Sequence, residues 1–232
     1  LYTGHDAISS AGSVVASKGG ESSLFHNPSG LAEVDDLQIN TGFGNLYNVN
    51  FLPYTHLGLI IPSKYGGLDM SFNTSMLIAD VIGSTGSFST AYGAHTAIAT
   101  LPISYFGNEK QKKKYLPKLV SGEWVGSYCL SEPDSGSDAN AAKTKAKLSD
   151  DGKNYLINGQ KMWITNAGIA DFFIVFAKID KDEFLSAFLV EKTFGGISMN
   201  QEEKKLGIKG SSTRQIFFND CKVPIENLLS KR

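Results

Sequence analysis

Apolar and polar positions alternate in different ways along three stretches of the chain. In the first, Leu37, Ile39, Thr41 and Phe43 alternate with polar or small residues, and Tyr47, Val49 and Phe51 do so again. A period of two predicts half-buried strands, with a turn over 42–45. Ahead of them, residues 9–23 are mostly Gly, Ser and other small residues without a helical period, and Asn27-Pro28 with Gly30 marks a turn. In the second stretch the period lengthens. Phe72, Met76, Leu77, Ala79 and Ile82 predict a helix ended by Gly83, and a second helix is predicted over Phe88–Tyr105, stopped by Gly107. Asn108 with Gln111 forms a capping-box pair that opens a third helix through Leu119. In the third stretch the period returns to two. Strands are predicted at Val125–Ser131, Lys143–Leu148, Tyr155–Asn158, Phe172–Lys178, Leu185–Glu191 and Thr213–Asn219. Asp151-Gly152 supplies a hairpin turn, and Asn158-Gly159 a bend before Met162 and Ile164.

The order is helices first and strands second. It predicts an α+β chain in which helices precede a small antiparallel β-barrel or sandwich. Three units follow: 1–60, a Gly/Ser-rich leader with a possible hairpin; 61–122, helical; and 123–232, β. Charge supports the first boundary. Residues 1–60 hold one lysine against five acids, and the remainder holds 21 basic against 18 acidic residues.

With 41% apolar residues the chain has enough for a core, and a net charge of −1 argues against nucleic acid as a partner. Cys129 and Cys221 form no disulfide framework, and no apolar run reaches the ~18 residues of a membrane span. No signal-peptide pattern is present, so a cytoplasmic location is expected. The chain lacks an initiator Met and ends at Lys231-Arg232 without a tapering tail, which reads as a fragment of something longer.

Familiar catalytic and nucleotide motifs are missing. Gly42-Phe-Gly44 lacks a third glycine and a following helix, and no serine has a nucleophile-elbow context. Cys129 has no nearby His to activate it and reads as core. His95, among Ala and Thr, reads as a packed, hydrogen-bonded histidine, and Lys112-Lys-Lys114 as a solvated helix face.

Two dense patches stand out. Trp124–Asp138 begins as a strand and breaks at Pro133 into a loop, where Ser131, Ser135 and Ser137 offer hydroxyls and Gly136 permits close backbone approach. Asn158–Asn166 carries the broad face of Trp163, with Thr165 two residues on and on the same side of a strand. An indole beside hydroxyls and free amides suits a flavin. A serine-rich loop beside a core tryptophan fits the same residues.

Three motifs carry a resemblance to acyl-CoA dehydrogenases: Tyr128-Cys-Leu-Ser-Glu-Pro-Asp-Ser-Gly-Ser-Asp138, Asn158-Gly-Gln-Lys-Met-Trp-Ile-Thr-Asn166, and Lys205-Leu-Gly-Ile-Lys-Gly-Ser-Ser-Thr-Arg214. Tyr65-Gly-Gly67, Phe106-Gly107, Tyr115-Leu-Pro-Lys-Leu119 and the tail Val223–Leu228 add to it, in the family's order over residues 60–232. The resemblance implies the end of a helical N-terminal domain plus a β middle domain, without the C-terminal helical bundle. It implies FAD as cofactor, lined by Tyr128, Leu130, Ser131, Gly136, Ser137, Trp163, Ile164 and Thr165. Ser131 and Thr165 would hydrogen-bond the flavin, Trp163 would flank it, and Ser137 would also contact acyl-CoA. Ser131 stands where many relatives carry Thr, and the hydroxyl is kept.

The implied reaction is α,β-dehydrogenation of an acyl-CoA thioester, with electron-transfer flavoprotein as acceptor and a homo-oligomeric full-length protein. The base would lie in the domain these motifs do not cover, and Glu132 beside Pro133 reads as structural. This stretch alone is therefore expected not to turn over. An acyl-CoA oxidase and a non-catalytic flavin-fold or barrel fragment are the alternative readings. Separately, Gly19–Ala32 resembles the N-terminal region of bacterial outer-membrane β-barrel transport proteins. Two strands cannot close a barrel, so residues 1–60 read as a leader and hairpin without a function of their own, with a fusion or an artefact of sequence assembly as the alternative.

Overall fold

The computed structural model describes residues 61–69 and 71–229, so the leader and the hairpin expected within 1–60 lie outside the described residues. Helix α1 spans Phe72–Gly83, and the Ser71 hydroxyl caps it by accepting from the Thr74 N–H at 3.3 Å. Helix α2 (Ser87–Gly93) continues through a π-helical segment, Ala94–Thr100, into α3 (Leu101–Phe106). The single helix expected over 88–105 keeps its span and changes its winding. Pro102 gives the reason: it has no N–H for the carbonyl four residues back, and its ring crowds that carbonyl. Within the widened segment the Thr100 hydroxyl donates to the His95 carbonyl, five residues back, at 2.7 Å.

Gly107 ends α3 for a different reason from the one expected. Its φ of −69° is ordinary rather than left-handed, but a Cβ there would lie 2.5 Å from the Ile103 carbonyl oxygen. Helix α4 (Glu109–Val120) opens on a complete capping box. The Asn108 side chain accepts from the Gln111 N–H at 2.9 Å, and the Gln111 side chain accepts from the Asn108 N–H at 3.0 Å. Among the described residues no helix is long and apolar enough to cross a membrane.

Seven strands form one sheet: β1 (Gly126–Cys129), β2 (Lys145–Leu148), β3 (Asn154–Thr165), β4 (Phe172–Ile179), β5 (Leu185–Glu191), β6 (Ile197–Met199) and β7 (Thr213–Pro224). The all-antiparallel expectation is corrected, because β1 and β2 both pair with β4 in parallel. Each reaches β4 over an intervening stretch long enough for the crossover that parallel pairing needs. The hairpin β2–β3 forms at Asp151-Gly152 as expected, with Gly152 at φ +67°. The bend at Asn158-Gly159 does not split the strand. It is a register shift between Ile157 and Gly159 within a continuous β3.

Strand β4 is buried on both faces, which explains its near-continuous apolar run. Phe172 and Ile174 face the helices, packing with Leu101, Ile103, Tyr115, Leu116 and Leu119. Phe173, Val175 and Ala177 face the other way, into a cluster with Ile157, Phe188, Val190, Ile216 and Val223. Each large side chain removed from water in this way contributes about 1.5–3 kcal/mol, so β4 anchors both layers. The last described residues are tied back by Gln111, whose amide donates to the Glu226 and Leu228 carbonyls at 2.8 and 2.9 Å.

Candidate functional site

The two patches singled out in the sequence lie side by side. The Ser127 hydroxyl donates to the Thr165 carbonyl at 2.6 Å, and the Met162 N–H donates to the Ser131 carbonyl at 2.9 Å. Residues 127–131 therefore run against 165–162 in the opposite sense. The Ser131 and Thr165 hydroxyls have no hydrogen-bond partner among the described residues, and both side chains are partly exposed.

Trp163 sits at an irregularity. Between Lys161 and Ile164, strand β3 carries one residue more than β7 opposite it, and Trp163 takes a left-handed φ of +57°. Such a conformation is costly for a bulky aromatic and marks a place of interest. Its consequence is visible in burial: Lys161 and Ile164 both face inward, while Trp163 is 66% exposed. Trp163 and Thr165 therefore flank a buried Ile164, both turned from the core.

The remaining expected residues divide. The Ile164 side chain belongs to the core cluster, which leaves its main chain as the part that can face a ligand. The Tyr128 ring packs against Phe176 at 4.9 Å between centroids, and burial raises its phenol, which keeps it protonated. The Leu130 carbonyl is engaged by Lys161. Gly136 and Ser137 lie on the exposed crest of the loop, where a Cβ on Gly136 would meet nothing within 4 Å, so the space is open to a ligand.

Ser135 is a correction to the expectation of an outward hydroxyl. Its main chain exchanges hydrogen bonds with Glu132 at 2.9 and 3.1 Å, and its hydroxyl donates to the Asp138 and Ala139 carbonyls. It closes the loop and offers nothing outward.

Glu132 is structural, as its place beside Pro133 implies. Its carboxylate accepts from the Lys143 N–H at 2.6 Å, the Thr144 N–H at 3.1 Å and the Lys161 ammonium at 2.7 Å. Burial pushes this carboxyl up, but Lys161 and the Thr144 and Lys143 donors outweigh it and hold it below the usual range. Burial lowers Lys161, and Glu132 only partly offsets that. The two stand 2.7 Å apart as a buried ion pair, with side-chain exposures of 0% and 4%.

Sequence reasoning missed Lys161 and Asn166. Counting by twos from Ile157 through Gly159 places Lys161 in the inward phase, and that was the available signal. Asn166 is fully buried at φ +67°, and its amide donates to the Ala91 and Gly126 carbonyls at 2.8 and 3.3 Å. It fastens α2 to β1.

His95 completes the frame. Its Nδ1 accepts from the Gly126 N–H at 2.9 Å, so Nε2 carries the proton and donates to the Leu119 carbonyl at 2.9 Å. Burial lowers it and keeps it neutral. Cys129 is buried core, its thiol pushed up to about 12 by desolvation. A cavity of about 400 Å³ opens beside His95, walled by Tyr92, Thr96 and Leu119, and none of the expected cofactor residues lines it.

Comparisons with known proteins cover both the helical and the β regions. Residues 55–123 match the acyl-CoA dehydrogenase N-terminal domain, and residues 127–221 match the acyl-CoA dehydrogenase middle domain. A Bacillus subtilis protein named "Probable acyl-CoA dehydrogenase" is 54% identical over 175 residues, which is 75% of this chain and 29% of that protein. The human very long-chain specific acyl-CoA dehydrogenase is 43% identical over 183 residues, 75% of this chain and 28% of that one. The crystal structure of an acyl-CoA dehydrogenase complexed with FAD from Bacillus anthracis superposes with a TM-score of 0.73 at 51% identity, covering 76% of this chain and 31% of that chain.

The chain belongs to the acyl-CoA dehydrogenase family, whose members are FAD-dependent oxidoreductases. It spans less than a third of the length of these relatives. The resemblance of residues 19–32 to outer-membrane β-barrel proteins lies ahead of the family match and outside the described residues, and these matches lend it no support.

Proposed function

We propose that this chain forms one wall of an FAD site in a protein that introduces an α,β double bond into an acyl-CoA thioester. The observation that carries the reading is one edge of unclaimed polar groups beside an exposed aromatic: the Ser131 and Thr165 hydroxyls, with Trp163 two residues before Thr165 in the second motif. Such a donor set fits a planar, hydrogen-bonding ring, and the open space above Gly136 fits a polar extension of it.

Bound FAD supplies the two-electron acceptor for the hydrogen that leaves the β-carbon as hydride. Ser131 and Thr165 would hydrogen-bond the flavin, and Trp163 would cover it and exclude water. Tyr128, Leu130 and the Ile164 main chain would line it, while Ser137 would serve both cofactor and thioester. The α-proton passes to a base outside this platform, because the carboxylate set within it, Glu132, already accepts three hydrogen bonds. Electron-transfer flavoprotein is the proposed acceptor of the electrons, and a homo-oligomer the proposed assembly.

The visible spectrum of the purified protein tests this. A flavin absorbance is the expected result, bleached by an acyl-CoA only in a longer protein that supplies the base, with retention weakened by roughly tenfold in Ser131→Ala or Thr165→Val, the loss of one hydrogen bond. Absence of any flavin binding would overturn it.

A further inference from the structure

Ser131 and Thr165 come from separate segments, and a flat cofactor edge bridging them requires a fixed spacing. The only side chain that spans the segments next to Ser131 is Lys161, among the described residues. Its ammonium donates to the Leu130 carbonyl at 3.1 Å and to the Glu132 carboxylate at 2.7 Å, the two residues on either side of Ser131. Two positions further along the same strand stands Trp163. The other carboxylate oxygen of Glu132 accepts the Lys143 N–H, which ties the far end of the loop to the same point.

We infer that Lys161 is a positioning residue for the cofactor edge, acting through Leu130 and Glu132 to hold Ser131 in register with Trp163 and Thr165. The role rests on the flavin reading given above. Burying two charges is an expensive way to join a loop to a strand, and a hydrophobic pair of similar volume commonly matches or exceeds an ion pair in stability. What the pair supplies instead is direction: a four-carbon stem held at full burial, ending in two short bonds that straddle one serine.

The test compares FAD affinity, by quenching of flavin fluorescence, with unfolding by urea in the wild type, in Lys161→Met, and in Lys161→Met combined with Glu132→Gln. Lys161→Met should weaken FAD binding at least tenfold and alter the visible circular dichroism of the flavin that remains bound. The double variant, free of the stranded charge, should regain most of the urea midpoint while its FAD affinity and dichroism stay altered; it is read alone if Lys161→Met does not fold. Affinity within twofold of wild type in either variant, or affinity that recovers in step with the midpoint, overturns the positioning role alone. A wild-type protein without FAD affinity overturns the flavin reading and this role together.

Discussion

At the joint between helices and sheet, His95 and Asn166 meet β1 through neutral hydrogen bonds, whereas at the joint between loop and strand Glu132 and Lys161 meet as ions. Both joints are buried and both hold the same short strand, β1, one at its start and one just past its end. They differ in what happens when a partner is lost. Removing a neutral partner leaves an N–H or carbonyl to find water or shift slightly. Removing an ion leaves a charge in a place without water. Cheap contacts therefore fix the layers of this molecule, and a costly one fixes the edge where the cofactor is proposed to bind.

Breaking each joint in turn measures that difference. Lys161→Met should cost the most, about 3–5 kcal/mol, because it strands the Glu132 carboxylate; urea denaturation checks it. His95→Ala should cost about 2 kcal/mol by the same measurement, from two hydrogen bonds and an orphaned Gly126 N–H. A loss for His95→Ala equal to that for Lys161→Met would dissolve the distinction.

Acid separates the joints further. His95 and Glu132 both titrate below their ordinary values when folded, so both contributions are complete above the unfolded pKa and decline as pH falls. For His95 the decline starts near pH 6.5, and for Glu132 near pH 4.5. A plot of stability against pH should show two steps, with His95→Ala removing the upper one and Glu132→Gln the lower. The smallest effect belongs to the exposed pair Lys143–Asp134, 2.6 Å apart with both side chains in solvent. Asp134→Asn should leave the thermal midpoint unchanged within error, since solvent screens that charge.

Local signals carried most of what was legible in the sequence. The Asn108–Gln111 capping box, the Asp151-Gly152 turn and the ending of α1 at Gly83 depend on residues within a few positions of each other, and all three stand as expected. Parallel pairing of β1 and β2 with β4 depends on residues tens of positions apart, and alternation within one strand says nothing about its partner's direction. Strand β6 is three residues long, too short to show a period.

The platform itself was readable as two motifs because small, hydroxyl-bearing and aromatic residues crowd there. Its internal wiring was not. Ser135 looks like Ser131 and Ser137 in the sequence, and only the closed turn with Glu132 shows that its hydroxyl is spent inside the loop. Lys161 was hidden by its type, since a lysine suggests solvent until the strand phase is counted through the irregular backbone.

The π-helical segment Ala94–Thr100 also acts as a phase-setting spacer. An α-helix advances each residue by about 100° around its axis, and a π-helical turn takes up one residue more than an α-helical one, so the segment absorbs that residue without turning what lies beyond it. Deleting one residue between Ala97 and Thr100 should regularise the winding and leave Leu101 and Ile103 against Phe172 and Ile174, whereas deleting two would swing them away. The segment thus works as slack in the helical layer: a change of one residue in its length is taken up by the winding, and a larger change would misalign the layer from the sheet.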